Sequence, residues 1–322
     1  MPLSCQIPTI EPFEAMIGYA RLADELGYHT IACSHIAARD SFTALAGLAM
    51  ATERVRLATA VAPIYHRSPA SMAQTAATID DLSGGRFRLG LGVGHRVTMG
   101  GWHGQEIGNP TAEMREYVTL VRALLAGAEP PTGQRWNSTF RFTGFTPRPD
   151  LPILLAGLSP AMLRLAGEIA DGVVLWACPA DYVRDVVVPE VAKGRAAAGK
   201  SLAGFAVMPA IPVAADADPV VAYHGIREEL HRYFGLPFYR KMFAAAGYQD
   251  DLDAFDAADG RAAQQAAISA EFIDALCAIG EDADVRATID RYRQAGATNP
   301  ILTNIRGTDF ATSLRAAERT LP

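Results

Sequence analysis

Lysine is nearly absent from this chain: only Lys193, Lys200 and Lys241 stand among 29 basic residues. An arginine bias of that kind reports genome composition rather than function. Cysteine is scarce as well. Cys5, Cys33, Cys178 and Cys277 lie far apart with no CxxC pair. That excludes a disulfide framework and fits small buried thiols in a reducing compartment. The formal net charge is −6 with no basic stripe, so nucleic acid and anionic membrane find no electrostatic footprint. Long apolar runs are missing too. The most apolar stretch, GFAVMPAIPVAA, is short and broken by Pro209 and Pro212, which rules it out as a membrane span. The opening MPLSCQIPTI has neither a basic start nor a long apolar core, so no export signal is expected and the cytoplasm is the expected location. There is no HxH, HExxH, carboxylate cluster, GxSxG elbow or P-loop. These absences speak against metal hydrolases, serine hydrolases and nucleotide triphosphatases, and no metal ligands are expected.

What the chain does have is alternation. Half of its 322 residues are hydrophobic and a fifth are charged, enough for one large α/β domain over residues 1–322. Eight short apolar runs, at 3–10, 29–36, 55–64, 87–94, 152–159, 172–179, 205–214 and 299–305, are bounded by turn residues. Most are apolar on both parities, as parallel strands covered on both faces must be. Helical patterns lie between them. Asn109-Pro110, Ser68-Pro69 and Ser159-Pro160 each read as an N-cap followed by proline at the first helical position. Eight βα repeats predict a closed (β/α)8 TIM barrel. A doubly wound open sheet is the alternative, but no GxGxxG opens a helix after the first strand. Two stretches break the spacing: an insertion after strand four, with 128–150 read as a short hairpin or loop, and the long segment 215–298 between strands seven and eight. Both are candidates for shaping a substrate pocket or for plain packing cover.

Residues 82–96 read LSGGRFRLGLGVGHR, with Gly90, Gly92 and Gly94 two apart in a strand. Glycine weakens a strand interior, so three on one parity ask for a reason, such as a close approach of backbone or ligand. This stretch resembles the strand-four signature of the bacterial-luciferase-like flavin oxidoreductases. Three further segments agree in order and spacing: ATERVRLATAVAPIYHRSPASMAQTAATIDDLSGGR, LPILLAGLSPAMLRLAGEIADGVVLW and YRQAGATNPI. Within that family the chain is most similar to the actinobacterial branch that uses the deazaflavin F420.

The resemblance implies a flavin-type cleft at the C-terminal rim of the barrel, with F420 as cofactor (FMN as the alternative) and a homodimer, for which the alanine-rich helices at 42–53 and 69–82 are candidates. His35, in Ser34-His35 where relatives often carry Asp-His, is implied as the catalytic and ring-contacting residue; the missing acid leaves its orientation open. TAVAP implies a non-prolyl cis peptide at Ala60–Val61 behind the ring, the alternative being an ordinary strand end with any cis bond at Ala62–Pro63. Gly94 borders the cleft and Gly90 and Gly92 relieve crowding below. Ala156, Gly157, Leu158, Ser159 and Pro160 form the implied phosphate loop, the alternative being a helix cap and nothing more. His95 and Arg96 face phosphate or substrate, or lie in a solvated loop; His95 stands where sugar-phosphate dehydrogenases of this branch tend to have an acid. Trp102 and His103 sit in a glycine-rich, mobile-looking stretch, while Trp176 and Cys178 are either pocket wall or core. The implied activity is hydride transfer between F420 and a small organic substrate. The alternatives are an FMN-dependent monooxygenase and a catalytically silent flavin-binding relative.

Overall fold

Eight parallel strands form the centre of the molecule in the computed structural model, which describes residues 1–321. They are β1 (Ser4–Gln6), β2 (Thr30–Cys33), β3 (Arg56–Thr59), β4 (Phe87–Gly92), β5 (Ile153–Ala156), β6 (Gly172–Leu175), β7 (Ala206–Ala215) and β8 (Ile301–Asn304). Each pairs with the next, and β8 pairs with both β7 and β1, which closes the barrel. All of the strands but β7 are shorter than their apolar runs, which continue into the loops beyond. The sequence gives no hint of one short strand, Ala278–Gly280, which pairs with the end of β7; three residues carry no readable period. Of the two readings of 128–150, hairpin or loop, the structure has the loop. That segment contains no strand. Its turn is held by the Glu116 carboxylate, which accepts the amides of Gln134, Arg135 and Trp136 at 2.9, 2.9 and 2.6 Å.

Helices surround the barrel, and the predicted caps start three of them. The side chains of Ser68, Asn109 and Ser159 accept the amides of Ser71, Ala112 and Met162 at 3.2, 3.2 and 3.3 Å, each with proline following. The motif residue Arg86 has a structural task. Its guanidinium donates to the carbonyls of Ala49, Thr52 and Val55 at 2.9, 2.9 and 2.7 Å, gathering the end of helix Ser41–Ala51. Leu89 and Leu91 of β4 enter the core between strands and helices. A second small core of Leu154, Val174, Met208 and Ile301 fills the space among β5, β6, β7 and β8.

The pairing of β3 with β4 explains the glycines. Ala58 pairs with Arg88, and the next pair upward is Ala62 with Leu91. One side therefore spends one residue more than the other, a bulge. The Ala60–Val61 peptide in this bulge is cis. A Cβ on Gly90 would overlap the carbonyl oxygen of Thr59, and one on Gly92 would lie 2.6 Å from Val61 Cγ2. The Thr59 hydroxyl stitches the gap: it accepts the Gly90 amide at 2.8 Å and donates to the Gly90 carbonyl at 2.7 Å. Gly90 is thus required by the backbone of β3, and Gly92 by the Val61 side chain in the bulge beyond it. Gly94 differs. Its φ of +67° is the left-handed region that glycine enters freely.

Candidate active site

A cleft of about 520 Å³ opens at the C-terminal ends of the strands. Active sites of such barrels lie at that end because the βα loops gather there. Nine of the ten residues expected at the site line it: His35, Ala60, Val61, Gly94, His95, Ala156, Gly157, Leu158 and Ser159. Pro160 does not. It is exposed and begins the helix Pro160–Ile169 behind the loop. Gly92 also lines the cleft, so its absent side chain clears both the bulge and the cavity. Trp176 answers to both readings: it packs, part-buried, against the main core and lines the cleft, and its indole Nε1 is buried without a hydrogen-bond partner among the described residues. Cys178 is fully buried, and burial pushes its thiol up and out of reactivity. The glycine-rich stretch with Trp102 and His103 forms a helix, Arg96–His103, against the cleft.

The acid that Ser34-His35 lacks comes from five residues on. Asp40 Oδ2 lies 3.6 Å from His35 Nδ1 and 2.9 Å from Arg67 Nη2. Burial opposes ionisation of Asp40, yet bonds from the Thr43 amide, Arg67 and the Thr43 hydroxyl outweigh it and hold the carboxyl at about 2. His35 Nδ1 also lies 2.9 Å from the Ser41 hydroxyl and receives the Ser41 amide at 3.4 Å. A ring nitrogen that accepts an amide carries no proton, which assigns the neutral ring's proton to Nε2. Burial lowers the His35 pKa, Asp40 opposes that shift, and Arg67 and His103 add to it. His35 is therefore neutral at physiological pH, with a carboxylate ready to offset charge if the ring gains a proton.

Two more histidine rings lie nearby, tilted against one another. The His66 ring centroid lies 5.1 Å from that of His35 and 4.0 Å from that of His103. Burial, with His103, His35 and Arg67 adding and Asp40 opposing, holds His66 down at about 4. Its Nε2 is buried and unpartnered among the described residues. No group of His, Cys, Asp and Glu among the described residues is placed to hold a metal ion.

The two insertions behave differently. Trp136 of 128–150 packs 5.0 Å from Tyr117 on the outer helix Pro110–Leu125 and does not reach the cleft. The segment 215–298 does. Glu229, Arg232 and Tyr233 project from helix Pro219–Phe234, and Phe238 and Tyr239 from helix Pro237–Ala245. Tyr233 lies 4.7 Å from Tyr239 and 5.7 Å from Trp176, ring to ring. His95 joins this group at 5.8 Å from Tyr239, so it faces the insertion and not open solvent. Burial, with Arg232 adding, lowers the His95 pKa. Arg96 is tied to the carbonyls of Ile107 and Gly108 and closes the loop beyond its helix. The sequence signal for Glu229, Arg232 and Tyr233 is their i, i+3, i+4 spacing. Among so many charges that pattern reads as a solvated face.

Comparison with known proteins agrees with this geometry. A family model described as luciferase-like monooxygenase matches residues 2–299. A Mycobacterium tuberculosis protein, provisionally named a coenzyme F420-dependent oxidoreductase, is 30% identical over 87% of this chain and 88% of its own length. Among solved structures, the coenzyme F420-dependent tetrahydromethanopterin reductase of Methanopyrus kandleri superposes with a TM-score of 0.83 at 20% identity, covering 99% of this chain and 97% of that one. The oxygenating component of 3,6-diketocamphane monooxygenase from Pseudomonas putida, bound to FMN, gives 0.73 at 19% identity, covering 100% of this chain and 98% of its own.

Proposed function

The chain belongs to the luciferase-like monooxygenase family, and from that membership we propose that this oxidoreductase uses F420 and passes a hydride between it and a small organic substrate. The observation that carries the reading is the start of helix Pro160–Ile169. The amides of Leu158, Ser159 and Ala161 donate to no group of the described chain, beside a Ser159 hydroxyl already on the Met162 amide. Free amides at a helix start favour an anion, and the phosphate of F420 is such a group. The small surfaces of Gly92, Ala60, Val61 and Ala156 leave room for a flat ring, and the unpartnered His66 Nε2 and Trp176 Nε1 fit a polar ligand. When bound, F420 supplies a ring with carbon where a flavin has N5, which favours two-electron transfer and reacts poorly with oxygen.

The chain's own residues manage position and protons. Neutral His35 offers Nε2 to the ligand, and Asp40 offsets the charge if the ring is protonated. His95 and Gly94 border the ligand. Residues 1–322 act as one domain in this reading, working in the cytoplasm as a homodimer. Met50 and Leu82, on the alanine-rich helices, are 73% and 43% exposed and available for that contact. No helix among the described residues is long and apolar enough to cross a membrane.

The FMN-bound relative of the same fold supports the second reading, an FMN-dependent monooxygenase. Titration with F420 and with FMN, followed by tryptophan fluorescence, separates the two, because Trp102 and Trp176 line the cleft. Tighter binding and stronger quenching by F420 are expected. Preference for FMN would favour the monooxygenase. Binding without turnover across a broad acceptor screen would mark a silent relative.

A further inference from the structure

Glu229 is an unused group in the cleft. Glu229 lines the cavity, half-buried, and no side-chain hydrogen bond or ion pair of the described chain engages it. Its neighbour Glu228 is the one that pairs, with Arg306 at 3.6 Å and His224 at 4.0 Å. Arg232, one turn along, spends its guanidinium on the Tyr233 hydroxyl at 2.8 Å and over the Tyr233 ring at 4.9 Å. A half-buried carboxyl without a protein partner is steadied when a proton or a ligand meets it. Here it opens onto space walled by Trp176, Tyr233 and Tyr239.

We infer that Glu229 is the residue that exchanges a proton with the substrate, and that the substrate is a neutral molecule presenting a hydroxyl or carbonyl oxygen among those rings. The inference rests on the F420 reading. In the oxidising direction the substrate O–H proton moves to the Glu229 carboxylate. The oxygen's electron pair forms the C=O bond, and the C–H hydride leaves to the deazaflavin. In reverse, protonated Glu229 gives its proton to the oxygen of a carbonyl as the hydride arrives. Burial raises the Glu229 pKa to about 7, against the pull of Arg232 and Arg306. An acid poised near the working pH serves both directions. The other titratable groups facing this region are Cys277, Tyr233 and Tyr239, all pushed up by burial and un-ionised at neutrality. His95, pushed down by burial and Arg232, is neutral there.

The test compares wild type, Glu229→Gln and Glu229→Asp as full-length protein. F420 titration comes first: equal affinity in all three is expected, and no F420 binding by wild type would sink the cofactor reading while leaving this residue's protonation measurable. Infrared difference spectra from about pH 5 to about pH 9 should show a protonated-carboxyl stretch that titrates near neutrality and vanishes in Glu229→Gln. Turnover is read as oxidation of reduced F420 with a panel of ketones and of F420 with secondary alcohols. Glu229→Gln should lower kcat by ~100-fold and remove the neutral inflection, with Glu229→Asp recovering part of the rate. An ionised carboxylate throughout the range, or a Gln variant with wild-type kcat and pH profile, would overturn the inference.

Discussion

The strand-end part of the cleft and the insertion part are built from different material. Around Ala60–Val61, Gly92, Ala156 and Gly157 the lining is backbone and small side chains. Its shape is fixed by the β3 bulge and the Thr59 stitch, so there is little freedom to vary residue by residue. Across the insertion the lining is Glu229, Arg232, Tyr233, Phe238 and Tyr239, large side chains on helices outside the barrel, met by Trp176 just beyond the end of β6. A ligand feature common to many reactions suits the first part, and the feature that differs between reactions suits the second. The contrast teaches that in this barrel one part of the cleft is shaped by main chain and the other by side chains.

Breaking the first part should cost most. Gly90→Ala drives a Cβ into the Thr59 carbonyl, so a loss of about 3 kcal/mol or a failure to fold is expected, measured by urea unfolding. His35→Ala should leave F420 affinity within about twofold and slow turnover by ~100-fold, read in steady-state kinetics. Thr59→Val leaves the buried Gly90 amide unpaired and should cost ~1–3 kcal/mol in the same unfolding assay. Acidification acts more gently. His66 and His29 are both held at about 4, His29 by burial with Arg88 and Arg56 adding. Their folded pKa values lie below the unfolded value of about 6.5, so the unfolded chain binds more protons between. Their contribution is complete above about pH 6.5 and is lost as pH falls toward 4, seen as a declining Tm that His66→Asn flattens. The smallest effect belongs to the second part. Phe238 is 54% exposed at the cleft mouth, and Phe238→Ala should leave Tm within about a degree and F420 affinity unchanged while altering substrate KM.

This division also decided what the sequence revealed. The barrel was legible because parallel strands must be apolar on both faces and because Ser68, Asn109 and Ser159 announce their helices. The spacing of Gly90, Gly92 and Gly94 marked the strand-end lining, and the resemblance to the luciferase-like family supplied Ala60, Val61 and residues 156–160. Asp40 escaped notice because its link to His35 passes through space, five residues along a loop. Glu229 and Tyr239 escaped because a charged or aromatic residue on an insertion helix has the same spacing whether it faces solvent or a cavity. At 128–150 hairpin and loop read alike in the sequence, and the structure has a loop whose turn is held by Glu116, a residue of the preceding helix.

A crystal structure of the protein with F420 tests the central claim most directly. The account predicts the F420 phosphate within hydrogen-bond reach of the amides of Leu158, Ser159 and Ala161, with the deazaflavin ring against Ala60–Val61. A phosphate held elsewhere, or a ring lying among Trp176, Tyr233 and Tyr239, would contradict it.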